Sequence, residues 1–181
     1  VLGVLTVLAC GAGYWLLHHN LSSQDAADAA LPSLIENAAS VDRITLTNAT
    51  GVLLNARREG DRWQTEVYAD NGVQVGMFPV DREKLATLVN ALSQAELIEP
   101  KTSKASNYHH LGLQDISADD SLATLVALGG NGKSWQVLVG NQSSVGNKSY
   151  MRIPKQSQAW LSDRAISLPM TNSEWLQQPI L

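Results

Sequence analysis

Short segments in which apolar and polar residues alternate make up most of the chain, and this period of two is typical of β-strands. Residues 43–47, RITLT, form one such segment. Residues 52–58 and 62–68 form two more, on either side of the tripeptide Glu-Gly-Asp at 59–61. Two alternating segments joined by a short turn that contains glycine predict a β-hairpin.

The second half of the chain repeats this arrangement. Residues 121–128 and 134–139 alternate on either side of the turn GGNGK and predict a second hairpin. Residues 149–153, SYMRI, and 158–162, QAWLS, are consistent with two further short strands. We therefore predict a sheet that is mostly antiparallel and built from hairpins.

Between the two hairpins the period changes to that of an amphipathic helix. The helix is predicted to begin after Pro79, with Asp81 as the N-cap residue. Its apolar positions follow the spacing i, i+3, i+4, i+7: Leu85, Leu88, Val89 and Leu92. The pattern should end near Ala95, before Pro100. One main helix packed on this sheet gives an α+β fold class.

Residues 1–17 contain no charged residue and predict a single transmembrane helix. At 1.5 Å per residue they span about 25 Å, and a few upstream residues would complete a bilayer core of roughly 30 Å. Tyr14 and Trp15 lie near the end of this helix, where aromatic side chains favour the membrane interface. Ala9 and Gly13 are small enough for contact with another membrane helix, although plain anchoring is the favoured interpretation.

The predicted organisation is a membrane helix over residues 1–19, a linker over 20–40 and an α+β domain over 41–181. Residues 18–42 contain no Lys or Arg, and the positive-inside rule then puts the domain outside the cytoplasm. We expect a single-pass protein of the bacterial inner membrane with a periplasmic domain. A cleaved signal peptide and lipidation at Cys10 are alternatives, but largely apolar residues continue beyond Cys10.

Composition narrows the possible functions. The chain has 181 residues, is 44% hydrophobic and 17% charged, and carries a formal net charge of -4. Because it has no run of basic residues, it lacks the footprint of nucleic-acid binding. Its single cysteine excludes an internal disulfide and a cysteine-based zinc cluster. We predict no cofactor.

The stretch NYHHLGLQD, residues 107–115, is the strongest candidate for chemistry. His109, His110 and Asp115 suggest a metal site or a hydrolase centre. Adjacent side chains diverge on a helix or a strand, however, and a zinc site needs three or four converging ligands. We therefore predict no catalytic and no metal-binding residue, and a hydrolase is the least favoured function.

The same stretch is better explained as a packing motif. Tyr108, Leu111 and Leu113 provide an apolar frame around a turn at Gly112. Glycine suits such a turn because a side chain would hinder the backbone conformation. The two histidines then occupy positions that need only be polar.

Five tryptophans are spread along the chain. Trp63 and Trp135 lie in alternating strands, which predicts packing in the core. Trp160 and Trp175 are less constrained by the pattern and are candidates for a partner-binding surface.

In their order along the chain, these features resemble a known family. The resemblance rests on the hairpin tryptophan, the start of the helix, a Tyr-x-x-Leu-Gly-Leu motif and a Val-Gly pair followed by Tyr-x-Arg: Trp63, Pro79, Asp81, Tyr108, Leu111, Gly112, Leu113, Val139, Gly140, Tyr150 and Arg152. Over residues 41–176 the chain resembles a bacterial domain-of-unknown-function family. Its members are membrane-anchored proteins, often encoded beside gliding-motility-type ABC transporters.

This resemblance implies a non-catalytic, membrane-anchored accessory subunit of an ABC-type export system. Its partners would be the permease and ATPase subunits and the lipid bilayer, and its periplasmic domain would bind a partner or an unknown cargo. The larger relatives in the family imply that the protein continues beyond Leu181. The alternative is a stand-alone envelope module that binds a glycan, a lipid or a peptide.

Overall fold

The part of the chain that the structure describes, residues 28–68 and 74–178, is built around a sheet of ten strands. The structure is a computed structural model. In chain order the strands are β1 (Asp28–Ala29), β2 (Arg43–Asn48), β3 (Gly51–Glu59), β4 (Arg62–Tyr68), β5 (Gln74–Pro79), β6 (Glu96–Thr102), β7 (Thr124–Gly130), β8 (Lys133–Gln142), β9 (Ser149–Arg152) and β10 (Ala159–Ser162). All neighbouring strands pair antiparallel, in the order β1-β6-β10-β9-β8-β7-β2-β3-β4-β5.

The helices of the described residues are short, with one exception. They are α1 (Leu34–Asn37), α2 (Arg82–Ser93), α3 (Tyr108–Leu111) and α4 (Asn172–Trp175), and 3-10 turns cover Ala38–Ser40 and Ala105–Asn107. Only α2 exceeds one turn, at 12 residues. The prediction of a mostly antiparallel sheet with one main helix is therefore confirmed.

Both predicted hairpins are present. The β3–β4 hairpin turns at Gly60, whose φ of 61° is in the left-handed region that glycine adopts without strain. The β7–β8 hairpin turns at Asn131 and Gly132, with φ of 51° and 72°. Positive φ at both central residues is the mark of the tight turn that matches the twist of antiparallel strands.

Helix α2 begins and packs as the sequence predicts. The Asp81 carboxylate accepts hydrogen bonds from the backbone N–H groups of Glu83, at 3.0 Å, and Lys84, at 3.3 Å. These bonds satisfy two donors that have no partner inside the helix. The predicted apolar positions are all buried: Leu85, Leu88, Val89 and Leu92.

The main core lies between α2 and one face of the sheet. Alternate residues of the central strands supply it: Ile44, Leu46, Leu54, Ala56, Val126, Leu128, Val137, Val139 and Met151. Because side chains alternate across a strand, the residues between them face the opposite side. On that side Leu138 belongs to a second, smaller apolar cluster with Tyr108, Leu113, Ala123 and Ala159.

The connection from β6 to β7 covers this second face of the sheet. It contains α3 and the predicted packing motif, and its residues Tyr108 and Leu113 are buried in the smaller cluster. The sheet is therefore apolar on both faces around β8. This double burial explains the continuous apolar run at 137–139 within β8.

Residues 28–40 differ from the predicted linker. Strand β1 pairs with β6, and the Leu34 side chain is 0% exposed in the main core. Pro32 accepts a hydrogen bond from the indole N–H of Trp135 at 3.1 Å. The described residues ahead of position 41 are thus part of the folded domain, because their apolar side chains have a core surface to cover.

Strands β5 and β6 were not predicted from the pattern. Both lie at or beside an edge of the sheet, and most of their residues are exposed. Each contains a proline, Pro79 and Pro100, which is tolerated where a strand has an unpaired side. Because most of their residues are exposed, apolar and polar residues need not alternate in these two segments. Proline is also uncommon in strands, so neither segment has the sequence pattern that predicts a strand.

The predicted membrane helix, with Ala9, Gly13, Tyr14 and Trp15, lies outside the described residues. Among the described residues, no helix is long and apolar enough to cross a membrane. Membrane anchoring therefore stays a prediction.

Candidate functional site

Arg152 is the centre of one group of motif residues. Its side chain extends from β9 into the β6–β7 connection and is 4% exposed. Its Nε and Nη2 atoms donate to the Leu113 carbonyl at 3.3 and 3.2 Å, and Nη1 donates to the Gln156 carbonyl at 3.2 Å. The two bonds to Leu113 attach the connection to the sheet.

Two further groups complete the surroundings of this guanidinium. Arg152 Nη2 lies 2.5 Å from Asp115 Oδ1, and its Cζ lies 4.5 Å from the centre of the Tyr108 ring. The Tyr108 hydroxyl in turn donates to the Ser157 carbonyl at 2.5 Å. A buried cation is stable only with such compensation, and here a carboxylate, carbonyls and an aromatic face supply it.

Two glycines allow the connection to lie close to β8. Gly112 has a φ of 64°, and a Cβ built there would lie 2.6 Å from Asn141 Oδ1. A Cβ at Gly140 would overlap the carbonyl oxygens of Leu111 and Gly112, the latter at 2.8 Å. Both positions therefore require glycine for close approach, and Gly112 also requires it for its left-handed backbone conformation.

The histidine pair does not join this cluster. His109 and His110 are exposed on α3, with ring centroids 3.7 Å apart. Asp115 pairs with Arg152 instead of an imidazole. Among residues 28–68 and 74–178, no group of three or more His, Cys, Asp or Glu side chains is placed to hold a metal ion.

A second group of motif residues surrounds a groove at one end of the sheet. Trp63, Pro79 and Asp81 line an open groove of about 900 Å³. The start of β4, the end of β5 and the first turn of α2 form its walls, and Gln177 and Gln178 close one side. Its charged side chains have both signs: Asp61, Arg62, Asp81, Arg82 and Glu83.

Backbone hydrogen bonds hold the groove in place. The Val80 N–H donates to the Trp63 carbonyl at 2.9 Å, and the Asp81 N–H donates to the Trp175 carbonyl at 2.8 Å. The Gln177 N–H donates to the Pro79 carbonyl at 3.0 Å. The C-terminal segment thus clamps the junction between β5 and α2, and the groove is a formed surface of the fold.

The match to a family model covers the greater part of these features. The model described as "Domain of unknown function (DUF4340)" matches residues 73–181. The chain belongs to this family. No curated protein and no solved structure matches the chain.

The DUF4340 match begins just before β5, later than residue 41, where the sequence resemblance begins. It includes the whole Arg152 cluster and the Pro79–Asp81 side of the groove, whereas Trp63 precedes it. A domain-of-unknown-function family is thereby confirmed. Membrane anchoring and association with a transporter stay predictions.

A smaller pocket lies on the other side of Trp63. It has a volume of about 250 Å³ and separates residues 38–41 from α2. We call it the Trp63 pocket; its lining includes Val41, Arg58, Trp63, Arg82, Leu85 and Val89. Trp63 packs on the core with part of its side chain and lines both concave surfaces with the rest.

The two tryptophans predicted for a partner surface have different positions. Trp175 is 1% exposed, and its indole N–H donates to the Pro169 carbonyl at 3.3 Å, so its side chain is a core residue and not a surface for a partner. The short helix that contains it turns the ring inward over the main core. Trp160 is half-buried on β10, as is Tyr150 on β9.

One carboxylate of this DUF4340 member has a shifted pKa. The Arg164 guanidinium, with Nη2 2.7 Å from Asp163 Oδ2, lowers the pKa of the Asp163 carboxyl. A hydrogen bond from the Glu96 backbone N–H, at 3.0 Å, lowers this pKa further, while burial opposes the shift. The pair links the end of β10 to the start of β6 and has no part in the groove.

Proposed function

We propose that this chain is a non-catalytic binding module that acts as a membrane-anchored accessory subunit of an ABC-type export system. The groove beside Trp63 carries the proposal. It is the place where residues of the resemblance, Trp63, Pro79 and Asp81, meet solvent together. The motif residues around Arg152, in contrast, are engaged in internal contacts.

The shape and charge of the groove support a protein as the partner. The groove is open, and both acidic and basic side chains line it together with Trp63, an aromatic residue that is partly exposed. Protein interfaces combine such an aromatic anchor with a polar rim. Mixed charges on the rim select a complementary partner more than they add affinity.

The membrane and transporter parts of the proposal rest on the sequence. Residues 1–17 carry no charge, and residues 18–42 carry no Lys or Arg, as expected for an anchor followed by a periplasmic domain. The resemblance supplies the partner class, the permease and ATPase subunits of an exporter. An anchor of this kind would keep the groove close to the periplasmic side of the permease.

Co-purification from the source bacterium tests the proposal. The tagged full-length chain, extracted in mild detergent, should retain a multi-pass permease and an ATPase. Trp63→Ala and Arg82→Glu should each reduce the recovery of both subunits severalfold. Lys104→Glu is the matched charge reversal, because Lys104 is exposed on the connection that covers the opposite face of the sheet.

Two results would count against the proposal. Recovery of the chain without any membrane-protein partner would contradict the transporter role. Equal losses with Arg82→Glu and Lys104→Glu would contradict the role of the groove. Far-UV circular dichroism of each variant separates a lost contact from a lost fold.

The Trp63 pocket favours a second candidate, a stand-alone envelope module that binds a peptide, a glycan or a lipid. This module would also depend on Trp63, but it would retain neither permease nor ATPase. The same purification therefore distinguishes the two candidates.

A further inference from the structure

The Trp63 pocket has an apolar floor. Val41, Leu85 and Val89 are all buried residues of the main core, and they form the inner side of the pocket together with Trp63. The pocket faces outward between α2 and the 3-10 turn at Ala38–Ser40. An apolar group placed there would remove both its own surface and that of the floor from water.

Among the described residues, two arginines, Arg58 and Arg82, are the only ionisable side chains that line this pocket. Arg58 Nη1 donates to the Ala39 carbonyl at 3.1 Å, which fixes one edge of its guanidinium. The Asp42 backbone carbonyl accepts a hydrogen bond from the Arg58 N–H, but the Asp42 carboxylate pairs with another residue, with Oδ1 3.5 Å from Arg43 Nε. In the described part of the chain, neither Arg58 nor Arg82 takes part in an ion pair.

The position of Arg82 is unfavourable for α2 itself. It is the first residue of the helix, where the aligned peptide dipoles disfavour a cation. A residue that is unfavourable for its own helix, and that makes no contact there to offset the cost, often has a role outside that helix. The pocket therefore combines an apolar floor with two guanidinium groups that have donors to spare.

The size of the pocket limits the ligand. A volume of about 250 Å³ is below the roughly 300–1,000 Å³ of sites for drug-sized molecules. It suits a group the size of one or two side chains. The C-terminal residue of a polypeptide is the unit of that size that carries an apolar side chain and a carboxylate on the same carbon atom.

We infer that the Trp63 pocket binds the C-terminal residue of a partner protein, with an apolar side chain on the floor and the carboxylate between Arg58 and Arg82. Capture of a terminal carboxylate by fixed donors is an established mode of peptide recognition. Guanidinium groups suit it because their planar donors match the two carboxylate oxygens. The inference depends on the proposed function in one respect: it assumes that the partner is a protein.

Nuclear magnetic resonance titration of the full chain in detergent micelles tests the inference, with N-acetyl-leucine as the probe. Trp63→Phe identifies the indole N–H signal of Trp63. N-acetyl-leucine should shift this signal saturably, and N-acetylleucinamide, which lacks the charge, should bind about tenfold more weakly. Arg58→Gln and Arg82→Gln should each weaken binding of the acid severalfold and leave binding of the amide unchanged.

Arg57→Gln is the control, because Arg57 is adjacent to Arg58 on β3 but faces the other side of the sheet, opposite Arg43. It should leave the affinity for N-acetyl-leucine unchanged. Absence of a saturable shift, equal binding of acid and amide, or equal losses with Arg57→Gln and Arg82→Gln would each overturn the inference. If the probe fails while co-purification still depends on Trp63, the proposed function stands and only the ligand class is wrong.

Discussion

At the scale of single residues, the motif around Arg152 shows why a string of conspicuous side chains need not be an active site. The sequence places Tyr108 and Asp115 beside two histidines, and it predicts that the apolar members form a packing frame. It contains no sign that the partner of both Tyr108 and Asp115 is Arg152. That contact depends on the pairing of distant strands, which local periodicity does not encode.

Arg152 should matter more for stability than its ion-pair partner. Arg152→Ala removes the donors to the buried Leu113 carbonyl, so we expect the free energy of unfolding to fall by about 3 kcal/mol. Asp115→Ala should cost less than about 1 kcal/mol, because the Asp115 side chain is 73% exposed. Urea denaturation of both variants measures the difference. Equal losses would mean that the ion pair with Asp115, and not the bonds to the Leu113 carbonyl, accounts for the contribution of Arg152.

Asp163 should make stability depend on pH at the acidic end. Its pKa is lower in the folded chain than the ordinary Asp value of about 3.9, so the ionised form favours folding. This contribution is complete above that ordinary value and is lost as pH falls through the lowered pKa. Unfolding free energies of the parent chain and Asp163→Asn, measured between neutral and strongly acidic pH, should therefore converge as pH decreases. A constant difference between them would contradict this linkage.

At the scale of elements, the sequence predicts those that bury one regular face. The hairpins β3–β4 and β7–β8 and helix α2 have clear periods, and all three form. The edge strands β5 and β6 do not, because exposed positions place no constraint on apolar spacing. Strand β8 shows both patterns, since its first residues alternate, whereas burial on both faces gives a continuous apolar run at 137–139.

The capping role of Asp81 is separable from its place in the groove. Asp81→Ala removes the acceptor for the Glu83 and Lys84 N–H groups and should lower the free energy of unfolding by about 0.5–2 kcal/mol. Asp81→Asn keeps an acceptor at the same position and should retain most of this stability while it removes the charge. Thermal unfolding measures both effects. If Asp81→Asn reduces co-purification although its stability is retained, the charge contributes to partner binding.

At the scale of the whole molecule, the groove and the Trp63 pocket arise where elements that are remote in the chain meet. Trp63, Asp81 and Gln177 are brought together because the C-terminal segment pairs with the β5–α2 junction. The sequence predicts Trp63 as a core residue and Trp175 as a surface candidate, whereas Trp175 is buried and Trp63 is partly exposed. The alternation along a strand predicts on which face of the sheet a side chain lies. Whether other elements cover that face completely depends on the tertiary arrangement.

The extent of the folded domain is the whole-molecule property that a single substitution can test. Leu34 precedes the predicted start of the domain, yet its side chain is 0% exposed in the core beneath α2. Leu34→Ala should therefore leave a cavity and lower the free energy of unfolding by about 2–5 kcal/mol. Ile35→Ala is the matched control, because Ile35 is 64% exposed and should change stability by less than about 0.5 kcal/mol. Urea denaturation in which the two variants behave alike would return residues 28–40 to the role of a linker, whereas a large difference would make them part of the fold that supports the Trp63 pocket.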